Sequence, residues 1–389
     1  MKKGKRYVGL VVLGIVFAVV GWALVNNAPV NHRVQSDLPV APMAFAQVLP
    51  ALWGWKKIAE SKSYPVVGVT STHTSAERTF DLKERVGDGV LTEAFLRVVG
   101  TIVAAGAGVG AASGIENPEG LVEEIYLKLK PDHGVICKNR LTARASISQE
   151  IFDIGNSIRE TDITDAAGNK AIDFAIPLRF AEYRAAAPIE HALPMAFFKE
   201  ATLKVKCGGR QRLFTGGTNT YDFSGLNMEV WGIVEEGVQI PAFHLKEEFE
   251  EVVDVTASKK DRTIDLEPGY VYESILLLAE RDNVLVDDIV NDVALISGGR
   301  AWVLRGDDNV KTLGGMTRKW NRRMAVASET LTGLYNFPLM RNGMISRAPD
   351  AVKNGLQLIL DVTRTSGVEN VTMRVRRFKP QFLQMAKTA

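Results

Sequence analysis

The chain has 389 residues, 46% hydrophobic and 24% charged, so it is long enough for two or three domains that each bury a core. Residues 1–57 hold seven of the 47 Lys and Arg but only one of the 45 acids, which leaves a mildly acidic body. That balance argues against specific nucleic-acid recognition, and two cysteines with five histidines argue against a disulfide scaffold and a zinc site.

The N-terminus predicts a transmembrane helix. Four basic residues among the first six precede an uncharged stretch, residues 7–25, whose length roughly matches the hydrocarbon core of a bilayer at about 1.5 Å per residue. We therefore expect Tyr7, Val16, Trp22 and Val25 to contact lipid. The basic end is expected on the cytoplasmic side or its equivalent, with the body on the other side.

A cleaved signal peptide is the alternative for this segment. Ala44–Ala46 offers an A-x-A cleavage site, but it lies far beyond the end of the apolar run, whereas signal peptides are cleaved close behind a shorter core. The distance favours an uncleaved anchor. Whether residues 1–46 are retained in the mature protein stays open at the level of sequence.

A second apolar stretch, Ala44–Trp55, is too short to span a bilayer. It ends in Trp53, Trp55, Lys56 and Lys57, and tryptophan beside lysine suits the headgroup region of a membrane. We expect these four residues to contact the membrane surface. A helix packed beneath the first domain explains the stretch equally well.

The rest of the chain contains one pattern twice. Arg78–Leu82 reads RTFDL and Arg262–Leu266 reads RTIDL, and four further blocks follow in the same order in both copies. Those blocks pair Leu91–Val103 with Val271–Ala279, Leu121–Ile125 with Leu285–Ile289, Ile176–Leu178 with Phe337–Leu339, and Asn227–Val234 with Asn370–Arg377. The repeat is longer than a solenoid period of roughly 20–50 residues, so it indicates a duplicated domain.

Each copy is predicted to be mainly β. Val371, Met373 and Val375 alternate with polar residues, which is typical of an antiparallel sandwich. Each copy also has one stretch in which apolar residues recur every three or four positions, as on one face of a helix: residues 147–158 in the first copy and 316–324 in the second.

The predicted fold is two tandem eight-stranded jelly-roll β-sandwiches, each with an inserted helix, plus the N-terminal transmembrane helix. The predicted division is 1–57 for the membrane anchor and interfacial segment, 58–245 for the first jelly roll, and 246–389 for the second jelly roll and C-terminal tail.

Two glycine-rich segments distinguish the copies. Ala104–Gly120 and Gly208–Gly225 are present only in the first copy, and we expect both to be exposed loops at the same end of its sandwich.

The candidate chemistry in the sequence is weak. Gly106–Ala111 matches a dinucleotide fingerprint, but glycines and Pro118 follow where a helix should begin. The acidic pairs Glu123/Glu124 and Asp287/Asp288 recur in both copies, which favours a structural role. We predict no catalytic, cofactor-binding or metal-binding residue.

One concentrated basic patch lies in the body. It comprises Arg318, Lys319, Arg322 and Arg323, on the predicted helix of the second copy. A solvated helix face is the simpler interpretation, and contact with lipid headgroups or another phosphate is the alternative.

A duplicated jelly roll behind a membrane-seeking N-terminus resembles the double jelly-roll major capsid proteins of tailless icosahedral viruses that enclose a membrane, as in tectivirus-like phages and with the architecture of the adenovirus hexon. The resemblance covers Arg78 to about Phe378. The full-length spanning segment departs from the amphipathic helix expected in that family.

The resemblance implies a structural protein without enzymatic activity or cofactor. It implies a homotrimer whose six sandwiches form a pseudo-hexagonal capsomer. Such capsomers would join neighbouring capsomers and minor capsid or vertex proteins in an icosahedral shell over an internal lipid membrane. The implied location is the virion capsid, with the N-terminus tethered to that membrane.

Two other function classes remain. A membrane-anchored extracytoplasmic β-sandwich binding protein explains the anchor equally well but gives no reason for the duplication. A dinucleotide-dependent enzyme rests on the glycine run alone.

Overall fold

The computed structural model describes residues 54–112, 118–131, 137–141, 163–180, 192–238, 242–282, 284–297, 300–303, 333–339 and 355–384. All of them belong to one compact unit, Leu49–Ala389. No helix in these ranges is long and apolar enough to cross a membrane. The predicted spanning segment, both predicted inserted helices and the basic patch lie outside the described residues.

The first half of the unit is built from β-strands. They are β1 Trp55–Ser61, β2 Val69–Thr70, β3 Ala76–Asp81, β4 Val90–Ala105, β5 Ala111–Ala112, β6 Val122–Pro131, β7 Cys137–Leu141, β8 Gly168–Arg179, β9 Leu193–Pro194, β10 Phe198–Cys207, β11 Phe214–Thr215 and β12 Thr220–Glu235. Two one-turn helices, α1 Lys83–Val86 and α2 Arg210–Leu213, and two 3-10 turns, Glu119–Leu121 and Met195–Phe197, connect them.

In the second half, the described residues form strands and the turns between them, with no helix. The strands are β13 Ala242–Asp254, β14 Lys259–Leu266, β15 Val271–Arg281, β16 Val284–Leu285, β17 Val290–Ser297, β18 Arg300–Val303, β19 Leu334–Pro338, β20 Leu356–Val362 and β21 Glu369–Gln384.

Each half forms two antiparallel sheets with the same strand order. In the first half the sheets run β1-β12-β4-β8 and β3-β10-β6-β7, with β2 and β9 added to the ends of β12 and β4. In the second half they run β13-β21-β15-β19 and β14-β20-β17-β18, with β16 also paired to β15. Eight described strands in two four-stranded layers make each half a jelly-roll sandwich, as predicted.

The period-two pattern of the strands places one row of apolar side chains in each core. Along β10, Leu203 and Val205 are fully buried, and along β20 Leu358 and Leu360 are buried in the same way. The buried side chains separate into two clusters, one per sandwich. Each copy therefore buries its own core, as a duplicated domain requires.

The strand registers confirm two of the predicted equivalences. Arg78 lies in the edge strand β3, opposite Val205 in β10. Arg262 lies in the edge strand β14, opposite Leu360 in β20. These positions correspond because β3 and β14 occupy the same place in their sheets.

The last strands also correspond as predicted. A β-bulge follows the pair Ile233–Glu93 in the first sandwich and the pair Arg376–Ser274 in the second, so Asn227–Val234 aligns with Asn370–Arg377.

Two other predicted pairings are wrong in register. Ile125 lies opposite Val205 in the first sandwich, and the residue in that place in the second is Val293, four positions after Ile289. The acidic pairs are therefore not equivalent: Glu123 and Glu124 lie in β6, whereas Asp287 and Asp288 precede β17.

Pro177 and Pro338 differ by two positions from the predicted alignment. Pro338 lies opposite Ser274, the counterpart of Glu93, and Glu93 lies opposite Arg179 rather than Pro177. Both slips are even-numbered, so each residue keeps its face of the sheet.

Candidate functional site

The glycine-rich segments meet at one end of the first sandwich, as predicted, but part of each is buried or paired. β5 pairs with β11, and the Thr218 backbone N–H donates to the Gly108 carbonyl at 2.8 Å. Ala104 lies in β4, and Gly208 and Arg210 are buried. The expectation of two exposed loops is therefore wrong for their flanks, which pack against each other.

The glycines at this end serve close packing. A Cβ atom at Gly108 would collide with the Thr218 side chain, and one at Gly217 would meet the Arg210 guanidinium. Gly217 also has a φ of 73°, which a residue with a side chain adopts only with strain. No helix follows Gly108 among the residues described there, since the chain enters β5, so the dinucleotide interpretation loses its structural context.

The carboxylate of Asp165 is the centre of a hydrogen-bond network at this end, which we call the hub. This carboxylate accepts hydrogen bonds from the Gly110 backbone N–H at 2.6 Å, Arg210 Nη2 at 2.5 Å, Asn219 Nδ2 at 3.1 Å and the Tyr221 hydroxyl at 2.7 Å. The Asp165 side chain is fully buried and that of Arg210 is 4% exposed. Three separate connections of the sandwich are thereby joined through one carboxylate.

The electrostatics of the hub favour the charged carboxylate. Burial alone would raise the pKa of Asp165, but hydrogen bonds from Tyr221, Arg210, Gly110 and Asn219 lower it below its usual value. Burial and the neighbouring carboxylate raise the pKa of Tyr221, so its hydroxyl remains a donor. Sequence reasoning missed this group, and Asp165 carries no motif that could have revealed it.

A second group of contacts fixes the opposite side of the same end. Glu123 accepts a hydrogen bond from the Ser75 hydroxyl at 2.6 Å and pairs with Lys206 at 2.9 Å. Burial raises the pKa of Glu123, but these partners, with Arg212, bring it below its usual value. Glu123 is thus a structural carboxylate, and the predicted structural role holds for it.

The same end of the second sandwich is also closed around a carboxylate. Glu369 has a fully buried side chain, which accepts from Arg281 Nε at 2.6 Å and from the Thr365 and Ser366 backbone N–H groups. The residues differ from those in the first sandwich, but both ends are held by buried ionic contacts.

The single described cysteine side chain is chemically inert. Cys207 is fully buried behind the Tyr64 hydroxyl, which donates to the Gly208 carbonyl at 2.9 Å. Burial raises the pKa of Cys207 to about 12, so the reactive thiolate is scarce at neutral pH. Within the described ranges, no group of three or more His, Cys, Asp or Glu side chains is placed to hold a metal ion.

The outer face of the β1-β12-β4-β8 sheet carries a cluster of aromatic rings. The rings of Trp55 and Phe95 lie 4.8 Å apart between centroids, and those of Phe95 and Trp231 are stacked at 6.4 Å. Lys57 Nζ lies 5.5 Å from the Trp231 ring centroid. We call Trp55, Phe95 and Trp231 the aromatic face; all three rings are partly exposed.

The charges beside the aromatic face pair with one another. Arg97 donates to Asp173 at 2.7 and 2.8 Å, and Lys57 pairs with Glu229 at 2.7 Å. The hydrogen bonds that Arg97 donates to Asp173 raise the pKa of Arg97. Burial raises the pKa of Glu229, but Lys57 and Trp231 lower it below its usual value. The face therefore presents apolar rings framed by neutralised charges.

Three of the predicted membrane-contacting residues belong to this sandwich. Trp55, Lys56 and Lys57 are the first residues of β1, so the expected helix does not include them. Trp55 lies opposite Ile233 and packs on Phe95. The other predicted membrane-contacting residues, at positions 7, 16, 22, 25 and 53, lie outside the described residues. Membrane contact by all eight stays a prediction.

The corresponding face of the second sandwich carries a buried ion cluster. Glu248 contacts Arg374 Nη2 at 2.6 Å and Arg376 Nε at 3.2 Å, with Lys246 at 3.6 Å. All four side chains are at most 7% exposed. Burial would raise the pKa of Glu248, but the three cations lower it to about 2.

Known structures share this arrangement of strands. No family model and no curated protein matches the sequence. A chain of the atomic structure of Sulfolobus Turreted Icosahedral Virus aligns with a TM-score of 0.55 at 12% identity, over 84% of this chain and 92% of that one.

Two further structures agree with that match. The PBCV-1 virus capsid aligns with a TM-score of 0.53 at 9% identity over 86% of this chain and 97% of its own. The Faustovirus major capsid protein aligns at 0.52 with 8% identity over 86% and 90%. At such low identity the similarity establishes the fold, and this chain has the double jelly-roll fold found in viral major capsid proteins.

Proposed function

We propose that this chain is a major capsid protein that forms trimeric, pseudo-hexagonal capsomers tiling an icosahedral shell over an internal lipid membrane. The observation that carries the proposal is the duplication: two sandwiches with the same strand order lie in one chain, and known capsid structures align over 84–86% of it. Three chains then supply six similar sandwiches, which gives a near-sixfold tile from a threefold assembly.

The described residues suit a structural role. Their buried polar groups lock connections together, as Asp165 and Glu369 do, and Cys207 is inert. A binding protein anchored outside the cytoplasm gains no support from these comparisons, and we do not propose it. The proposed partners are two further copies of the chain, neighbouring capsomers, and minor capsid or vertex proteins.

The mass of the full chain in mild detergent tests the trimer. Light scattering after size-exclusion chromatography is expected to give three times the protein mass of one chain. The full chain is required because β1 begins at Trp55, so removal of residues 1–57 would cut into the sandwich. A monomer at micromolar concentration would contradict the capsid proposal.

We also propose that residues 7–25 cross the internal membrane, with residues 1–57 as the anchor and the jelly rolls in 58–245 and 246–389. The support is the uncharged length of the segment and its basic flank. β1 and β13 begin slightly upstream of the two proposed boundaries.

Val16→Arg tests the tether. A charge at the centre of the span is expected to cost about 2.5–3.5 kcal/mol of insertion free energy, so alkaline carbonate should release more of the variant from membranes. Val30→Arg, in the polar segment after the span, is the matched control and should stay in the pellet. Release of the wild-type chain by carbonate, or a mature chain that begins at Gln47, would contradict the tether.

A further inference from the structure

We propose that β18 of a second copy of this chain covers the aromatic face of Trp55, Phe95 and Trp231. The inference rests on the proposed function and identifies the partner of this surface within the capsomer. It follows from a difference between the two sandwiches, from a contact inside the chain, and from the chemistry of the face.

The difference is that the same sheet face is buried in one copy and partly exposed in the other. Trp231 lies in the row of Phe95, and Arg374 lies in the matching row of Leu276. Trp231 and Phe95 are partly exposed, whereas Arg374 is 2% exposed and Leu276 is fully buried.

The adjacent rows repeat the pattern. Ser274, which corresponds to Glu93, and Glu280, which corresponds to Val99, are each 6% exposed. Glu93 and Val99 themselves are partly exposed. An outer sheet face normally borders solvent, so this burial means that the second sandwich has a neighbour on this side. Among the described strands, none of the second sandwich lies against β1 in the way that β7 lies against β13.

The described contacts show one such neighbour, at the β13 edge of this sheet. β7, the last strand of the sheet β3-β10-β6-β7, lies against β13 of the second sandwich. Because the two sandwiches have the same strand order, β18 of the second corresponds to β7 of the first, and β1 of the first corresponds to β13 of the second. Repetition of the same contact between chains therefore brings β18 of one copy against β1 of the next.

The chemistry of the face fits a protein partner. The charges beside it are paired, so it offers three aromatic rings without an unmatched ion. Aromatic residues and arginine are enriched in the cores of protein interfaces. β18 has the sequence Arg-Ala-Trp-Val, which supplies these residue types at the proposed partner strand.

Trp231→Glu tests whether the face is an interface. The variant is expected to lower the trimer association constant at least about tenfold, since a carboxylate would replace a ring at the centre of the contact. Val67→Glu is the matched control, because Val67 is 80% exposed and precedes β2, which pairs with β12 at Tyr221 and Asp222, at the other end of that strand from Trp231. Circular dichroism and the urea midpoint of each variant separate loss of assembly from loss of folding.

A crosslink between chains identifies the partner strand even if Trp231→Glu fails to fold. One chain carries Glu60→Cys, at the exposed end of β1, and a coexpressed chain carries Ala301→Cys, in β18. A short bismaleimide should join the two variants into a covalent dimer only when both are present. Each variant alone controls for the native cysteines.

The outcomes separate this inference from the proposed function. A crosslink in the mixture together with loss of trimer in Trp231→Glu supports it. A wild-type trimer that forms no such crosslink, and that persists in a folded Trp231→Glu variant, overturns the inference and leaves the capsid proposal standing. A monomeric wild-type chain overturns both.

Discussion

Replacement of Asp165 with alanine is expected to destabilise the first sandwich by about 3–5 kcal/mol, the cost of leaving a buried charge without its partner. The Arg210 guanidinium would lose its closest carboxylate, 2.5 Å away, and it is 4% exposed. Gly110, Asn219 and Tyr221 would lose an acceptor in the same place. The loss is large because one carboxylate satisfies donors from several connections.

Hydrogen exchange locates this effect. In Asp165→Ala, amides of residues 104–112 and 208–221 should exchange faster, while those of the second sandwich keep their protection. Asp88→Ala is the matched control: its carboxylate is 84% exposed and pairs with Lys83, so we expect a change within about 0.5 kcal/mol. Unchanged protection of both segments in Asp165→Ala would show that the hub does not hold this end together.

Glu248→Gln is expected to destabilise the second sandwich at neutral pH by about 3 kcal/mol. Glu248 lies among Arg374, Arg376 and Lys246, and the variant removes one of the two carboxylates beside these cations, the other being Glu273, 3.1 Å from Lys246. The pKa of Glu248 falls from 4.5 to about 2 in the folded protein, so its ionised form contributes about 3 kcal/mol above pH 5. That contribution is lost as pH falls from about 5 towards 2.

Urea unfolding at two pH values tests the linkage. The wild-type protein should lose stability between pH 7 and pH 3, and Glu248→Gln should lose less over the same interval because it lacks this titrating group. Glu251→Ala, on the same strand but exposed, is the control and should follow the wild-type pH dependence. If the variant and the wild type lose equal stability on acidification, the ion cluster is not the source of the acid sensitivity.

The duplication was predictable because it leaves a collinear trace in the sequence. Arg78 and Arg262 begin near-identical pentads, and both lie at the same edge position in their sheets. Asn227 and Asn370 are equally well placed by the sequence. Such positions are distinctive, so chance matches are rare.

Register within the strands was less predictable. A shift of two or four residues leaves every side chain on the same face, and the alternating pattern cannot distinguish such alignments. This explains why Ile125 aligns with Val293 rather than with Ile289. The pairing depends on neighbouring strands that are distant in sequence, such as β10 and β20.

The buried ionic groups were not predictable at all. Asp165 and Arg210 are 45 residues apart, and each lies in an ordinary polar stretch. Their contact exists because the sandwich brings separate connections to one end. The same holds for the aromatic face, where Trp55 and Trp231 come together only through the pairing of β1 with β12.

Electron cryo-microscopy of the full chain in mild detergent tests the central claim most directly. The account predicts a threefold particle with six sandwiches in a ring, in which the contact of β18 with the next β1 repeats that of β7 with β13. A monomer, or an assembly in which Trp55, Phe95 and Trp231 face solvent in every chain, would contradict it.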